Sequence, residues 1–334
     1  MRSGTRCRAF CALVLFPALL LAAGPAAAQA VKVRLGSSLS PPSLDSLTAY
    51  VAIEQGFFRK LGLDVQVVEF RGDATHMKAL LAGEIDATIN MGATNGIVAA
   101  SKGAKVQLYM VPQSVTPYTL VARKEAGTTL QALAGKTVAV SSIGAISYHI
   151  PRIVFERSGI DPEKMKYIAV GSPADRFKAL VAGKIDVTVV TNMEAAKLAA
   201  YPDIVALVRI PKVVPEIPYE FGMAREEYLE KHPDTVYKLT RGLIEANRWA
   251  ASNKAGVLEI GKKILKDEPM EVLGKAYDMF DPGIWNPNGD LSEASYKYTV
   301  DFLLKVGYMK EPVPYDKFFD RRFVDRVLKE LGRM

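Results

Sequence analysis

Two aspartates, Asp86 and Asp186, occupy matching places in two nearly identical stretches, KALLAGEIDATI over 78–89 and KALVAGKIDVTV over 178–189. Paired carboxylates are common equipment for proton transfer, so these are the first residues to weigh as chemistry. Each follows a glycine, Gly83 or Gly183, set where a helix ends in the left-handed conformation. Each then opens an alternating apolar stretch, where a short carboxylate bonds nearby backbone. The pair therefore reads as structural. The three histidines, His76, His149 and His232, include no i,i+4 pair and none beside a cysteine, so no metal site is expected. His76 is expected at the surface and His232 at the start of a helix. The two cysteines, Cys7 and Cys11, both precede residue 12. There is no Gly-x-Ser-x-Gly elbow and no His-Glu-x-x-His motif. Nucleophilic, metal-assisted and cofactor-dependent catalysis are not expected.

The elements that carry these residues form a duplication. Eight of the twelve positions in the two stretches are identical. Met77, Leu80 and Leu81, like Phe177, Leu180 and Val181, are expected on one helical face. Upstream, the pattern predicts strand 33–36, a helix near 44–60 and strand 64–70. It predicts strand 138–141, a helix near 147–158 and strand 166–170 in the second copy. Each copy is a βαβαβ unit of a doubly wound sheet. The segments from Pro117-Tyr118 and Pro218-Tyr219 also match, ending at Arg123-Lys124-Glu125 and Ala224-Arg225-Glu226. They read as two crossings between lobes. The division predicted is lobe 1 over 31–119, lobe 2 over 120–217, and a helical return to lobe 1 over 218–334. The fold class is α/β, two doubly wound sheets joined by two crossover segments. Trp249 and Trp285 read as packing residues.

Residues 1–30 read as a cleaved signal peptide. Arg2, Arg6 and Arg8 precede an apolar run, and Ala28-Gln29-Ala30 forms a cleavage site before Val31. Cleavage removes both cysteines, and with them any disulfide. It also lowers the net charge of +7 by three. The remaining excess is spread evenly, without the basic stripes of a nucleic-acid protein.

Several motifs carry a family resemblance. They are Ala52-x-Glu54-x-Gly56-Phe57-Phe58-x-Lys60-x-Gly62-Leu63-Asp64-Val65, the repeated Ala-Leu-x-x-Gly-x-x-Asp, and Leu133-x-Gly135-Lys136-Thr137-Val138-Ala139-Val140. Ala224-Arg225-Glu226-x-Tyr228-Leu229-x-x-His232-Pro233-Asp234 and the tail, Asp301-Phe302-Leu303 to Gly332, complete the set. The chain resembles the periplasmic solute-binding proteins for sulfonates, nitrate, taurine and thiamine precursors. The resemblance implies the two-lobed periplasmic-binding-protein fold (type II) and a monomer in the periplasm. It further implies delivery of a solute to an ABC permease and its ATPase. A periplasmic sensor binding a similar solute, or an enzyme on the same fold, is the alternative; an enzyme of this family carries a Cys-rich motif absent here.

In open α/β sheets ligands sit beyond the carboxyl ends of strands, at helix N-termini. The candidate residues in the first lobe are Ser37, Ser38, Asp73, Gly92, Ala93 and Thr94. In the second they are Ser142, Gly144, His149, Thr191 and Asn192. The crossings add Gln113, Tyr118, Glu216 and Tyr219. Ser172 reads equally as an N-cap, because Ser172-Pro173-x-Asp175 has that form. A small anion is expected to be held by hydroxyls and backbone N–H groups, with no arginine needed. Leu39, Pro41, Pro42, Met91, Ile143, Ile146 and Met193 suit an organic body with a polar or anionic head.

Overall fold

The computed structural model describes Met1 and residues 29–334. Apart from its ends, the predicted signal segment lies outside the described residues. Two five-stranded mixed sheets organise the rest. The first has the order β2-β1-β3-β10-β4, from β1 (Val31–Ser37), β2 (Leu63–Glu69), β3 (Ala87–Gly92), β4 (Val106–Gln113) and β10 (Glu220–Arg225). The second has the order β7-β6-β8-β5-β9, from β5 (Thr119–Arg123), β6 (Thr137–Val140), β7 (Lys166–Ala169), β8 (Val187–Val190) and β9 (Ile204–Arg209). In each, three parallel strands are followed by one antiparallel strand delivered by a crossover. Apolar runs such as Thr-Val-Ala-Val in β6 are buried on both faces, as parallel strands covered by helices require.

The repeated stretches fold alike. Helix Asp73–Ala82 ends at Gly83, and helix Pro173–Val181 is followed by Gly183, with φ of 77° and 70°. Asp86 Oδ2 accepts from Arg34 N at 2.7 Å, and Asp186 Oδ2 accepts from Thr137 N at 2.8 Å. Each aspartate thus ties the start of its strand to the first strand of its own βαβαβ unit. Arg225 donates to Leu80 O and Arg123 to Leu180 O at 3.3 Å, so each crossing strand ends on a matching guanidinium at the helix terminus. Leu80 and Leu180 are buried, but Leu81 and Val181 are exposed, because a step of 100° turns the following residue off the packed face.

The helix expected near 44–60 is three pieces, Leu44–Ser46, Thr48–Glu54 and Phe57–Lys60. Gly56 has φ 71° and ends the middle piece. The long helix Pro233–Ser252 packs on Thr48–Glu54, Phe57–Lys60 and β4. The C-terminal segment also touches the second sheet's layer. Helix Met270–Asp278 packs on Asn192–Ala195, and Lys305, in helix Glu293–Lys305, pairs with Glu156. No described helix is long and apolar enough to cross a membrane.

Candidate functional site

A narrow cleft, with a cavity volume of about 20 Å³, lies where the carboxyl ends of the two sheets face each other. Ser38, Leu39, Gly72, Asp73, Gly92, Tyr219 and Glu220 line it from one side, and Tyr118, Ser141, Ile146, Ser172, Pro173 and Arg176 from the other. Almost all these side chains are buried.

On the first side, Asp73 opens its helix and its Oδ1 accepts from Gly92 N at 3.0 Å. A Cβ on Gly92 would stand 2.7 Å from Asp73 Oδ2, so only glycine allows this approach. Ser38 Oγ donates to Asn90 O, and Asn90 Nδ2 donates to the Glu220 carboxylate. Burial raises the pKa of Asp73, and the Gly92 N–H only partly offsets it. Burial likewise holds Glu220 well above the ordinary carboxylate range. Both carboxyls are driven toward the neutral form, which donates a hydrogen bond.

On the second side, Ser172 caps helix Pro173–Val181 by accepting from Asp175 N at 3.2 Å. One turn in, Arg176 is fully buried. It donates to Thr188 Oγ1 at 3.1 Å, Gly171 O at 2.7 Å and Val189 O at 3.1 Å. All three acceptors are neutral, and among the described residues Arg176 forms no ion pair. A guanidinium has five N–H donors, so two remain to face the cleft. Tyr118 and Tyr219 close the floor. Tyr219 Oη donates to Tyr118 Oη at 3.3 Å. Burial pushes the Tyr118 phenol up to about 12 and raises Tyr219 well above its ordinary value, so both stay protonated.

Of the candidates read from sequence, Ser38, Asp73, Gly92, Tyr118 and Tyr219 come together here. Others are turned to structural work. Ser37 Oγ donates to Asn90 Oδ1 at 3.3 Å behind Ser38. Ala93 N bonds Tyr219 O, and Thr94 Oγ1 reaches Gly144 O at 3.5 Å, a contact across the two halves. The Ser142 main-chain carbonyl accepts from Ala145 N at 3.2 Å. Gln113 Nε2 is held by Asp45 O. Thr191 Oγ1 donates to Glu194 Oε2 at 2.6 Å in a capping box. Asn192 is bound by Arg209 and Met279 O. Glu216 pairs with Arg157 at 3.1 Å, away from the cleft. His149 lies edge-on to Tyr148, Phe302 and Tyr308, with its pKa lowered by burial to about 3. His76, expected at the surface, is fully buried and stacks on Phe70. Trp285 packs on Phe280 and donates to Asp45 O at 3.0 Å.

Arg176, which was not among the expected residues, also lines the cleft. Its signal was present: Arg176 stands in the repeat at the place of His76, beside the shared Thr88 and Thr188. Glu220, directly after the crossing Tyr219, was the other residue passed over. The lining holds no histidine and no cysteine. It converges donors on one small space, and the chemistry this supports is holding an oxyanion.

Residues 44–255 match the family described as NMT1/THI5 like. The chain belongs to this NMT1/THI5-like family. The bicarbonate-binding protein CmpA of Synechococcus elongatus is 24% identical, over 92% of this chain and 78% of that one. The alkanesulfonate-binding protein SsuA from Xanthomonas axonopodis pv. citri, bound to MOPS, superposes with a TM-score of 0.74 at 18% identity, over 88% of this chain and all of that one. The periplasmic nitrate-binding protein NrtA from Synechocystis PCC 6803 gives 0.76 at 16%, over 91% and 90%. These likenesses fix the periplasmic-binding-protein fold for this NMT1/THI5-like chain. The cleft between its two sheets is the arrangement that such a fold provides for a solute.

Proposed function

We propose that this NMT1/THI5-like protein is an extracytoplasmic solute-binding protein. It captures a small solute with an anionic head between its lobes and hands it to an ABC permease driven by its ATPase. The observation that carries this is Arg176, a buried guanidinium with neutral partners only, facing a closed cleft. A buried cation is costly until an anion meets it. The Tyr118 phenol supplies a further donor, and burial favours the protonated, donating forms of Asp73 and Glu220. CmpA, SsuA and NrtA are named for bicarbonate, alkanesulfonate and nitrate, all anions, which supports the same reading.

The protein works as a monomer in the periplasm after cleavage before Val31, and it turns nothing over. Lobe 2 is the segment 120–217, and closure occurs about the two crossings, where few dihedrals must change. The test is a thermal-shift screen of carboxylates, sulfonates, amino acids and pyrimidines on the secreted protein, followed by calorimetry. A ligand at about 100 times its Kd should add roughly 2.7 kcal/mol of stability. A best ligand that is a cation, or an anion whose affinity survives Arg176→Met, overturns the reading.

A further inference from the structure

We infer that the seam between helix Ile146–Arg157 and helix Glu293–Lys305 is a proton-operated latch: His149 must be neutral for the lobes to shut on each other, so acid opens them. This rests on the hinge closure proposed above and is independent of which solute the cleft takes.

The seam joins the two halves outside the cleft. Helix Ile146–Arg157 packs on β6 and β8 of the second sheet. Helix Glu293–Lys305 packs on helix Ala93–Ser101 and on Tyr315–Phe318, which both pack on β4 of the first. His149 is fully buried in the seam, and its ring centroid lies 5.4 Å from that of Phe302 and 4.6 Å from that of Tyr308, both edge-on. Tyr308 also covers Gly144, where a Cβ would stand 2.8 Å from its ring, so glycine lets the phenol seat. Hinge opening lifts Phe302 and Tyr308 off the imidazole and admits water to it. A cavity of about 320 Å³, lined by Ile153 and Phe302, already lies one turn along the helix from His149.

The closed seam has no place for a second proton on this ring. Among the described residues neither ring nitrogen has a hydrogen-bond partner. The nearest charge is Arg152, on the same helix, whose guanidinium stacks on Tyr148 and Tyr167 and pairs with Glu163. The facing phenol, Tyr308, is pushed up to about 12 by burial and stays neutral. Helix Ala93–Ser101 carries no charged residue. The remaining seam acids are taken: Glu156 by Lys305 and Asp301 by Lys297. An imidazolium here would be a buried cation beside a cation. Burial, with the Arg152 charge adding to it, lowers His149 to about 3 in the closed form. Once exposed, the ring returns toward the ordinary histidine value of about 6.5. The open form therefore takes up a proton that the closed form refuses. Each unit of pH below about 6.5 should favour the open form by about tenfold, until the buried ring itself titrates.

The experiment is X-ray scattering of the solute-free secreted protein between about pH 7.5 and about pH 4.5, a range that spans the ordinary histidine value. Over it the open-to-closed ratio should rise by about a hundredfold. The radius of gyration should grow while far-ultraviolet circular dichroism stays constant, which separates opening from unfolding. His149→Phe, or His149→Leu should the first variant not fold, should keep the neutral-pH radius throughout. A radius that does not change with pH in the wild type, or the same growth in the variant, overturns the latch. Because no solute is present, either result leaves the anion reading standing.

Discussion

Tyr219 and Tyr118, one from each crossing segment, meet edge to face with ring centroids 5.1 Å apart, their hydroxyls joined across the cleft floor. The two segments connect the two sheets, so this pair reports on both the cleft and the proposed hinge. Aromatic pairs of this geometry couple by about 1 kcal/mol. Tyr219→Ala should weaken solute binding by tenfold or more and leave a folded protein. A double-mutant cycle with Tyr118→Ala should show coupling. Unchanged affinity in both single mutants and the double mutant would assign the tyrosines to packing alone.

Arg176→Met should abolish anion binding with little loss of stability. The wild-type side chain contributes three bonds to neutral oxygens but keeps a charge buried. Replacing a buried charge by an apolar chain of similar volume is often neutral, while charge-assisted bonds to a ligand are worth about 1.5–3 kcal/mol each. Calorimetry and urea melts of the same preparation separate the two effects.

Asp45 gives the folded state a pH dependence. It is fully buried, its Oδ2 has no partner, and burial raises its carboxyl to about 6. Between its unfolded value and about pH 6 the folded protein holds a proton that the unfolded chain has released. Stability therefore falls as pH rises through this window and levels off above it. A shift of about two units corresponds to roughly 3 kcal/mol. Asp45→Asn should make the decline shallower and raise the melting temperature at neutral pH. An unaltered pH profile would remove Asp45 as the cause. Burial raises Asp73 and Glu220 as well, so anion affinity should also weaken with rising pH as they ionise.

Asp86→Ala and Asp186→Ala should each destabilise by about 1–3 kcal/mol, because a backbone N–H loses its acceptor. Solute affinity measured well below the melting temperature should not change. A loss of affinity without a loss of stability would return the pair to the functional residues.

The C-terminal segment clasps the second lobe through Arg209, which pairs with Asp281 at 2.5 Å and donates to Met279 O at 2.6 Å. Lys197 and Glu268 form a second such pair. Asp281→Ala should favour the open form, lowering affinity and increasing the radius of gyration of the solute-free protein in X-ray scattering. Identical scattering would show that the clasp does not bias closure.

The sequence by itself determined the duplication, the α/β class and the structural role of Asp86 and Asp186. Each depends on local rules: apolar periodicity, glycine at a left-handed cap, and a short carboxylate beside free backbone. It also placed a cleft at the strand ends, since topology alone puts helix N-termini there. Tertiary structure decided which strand-end residues face the cleft. Thr191 and Asn192 have suitable chemistry, but a capping box and the Arg209 clasp take up their polar atoms. His149 starts near the cleft, yet its ring turns into packing against Phe302 and Tyr308 on the C-terminal segment, about 150 residues away. Arg176 shows the converse. Along the chain it is one more polar residue in a capped helix, equivalent to His76 in the first copy. It comes to line the cleft only because its bonds to Gly171, Thr188 and Val189 hold it buried against the second sheet. Side-chain direction depends on partners distant in sequence, and local pattern carries no record of those partners.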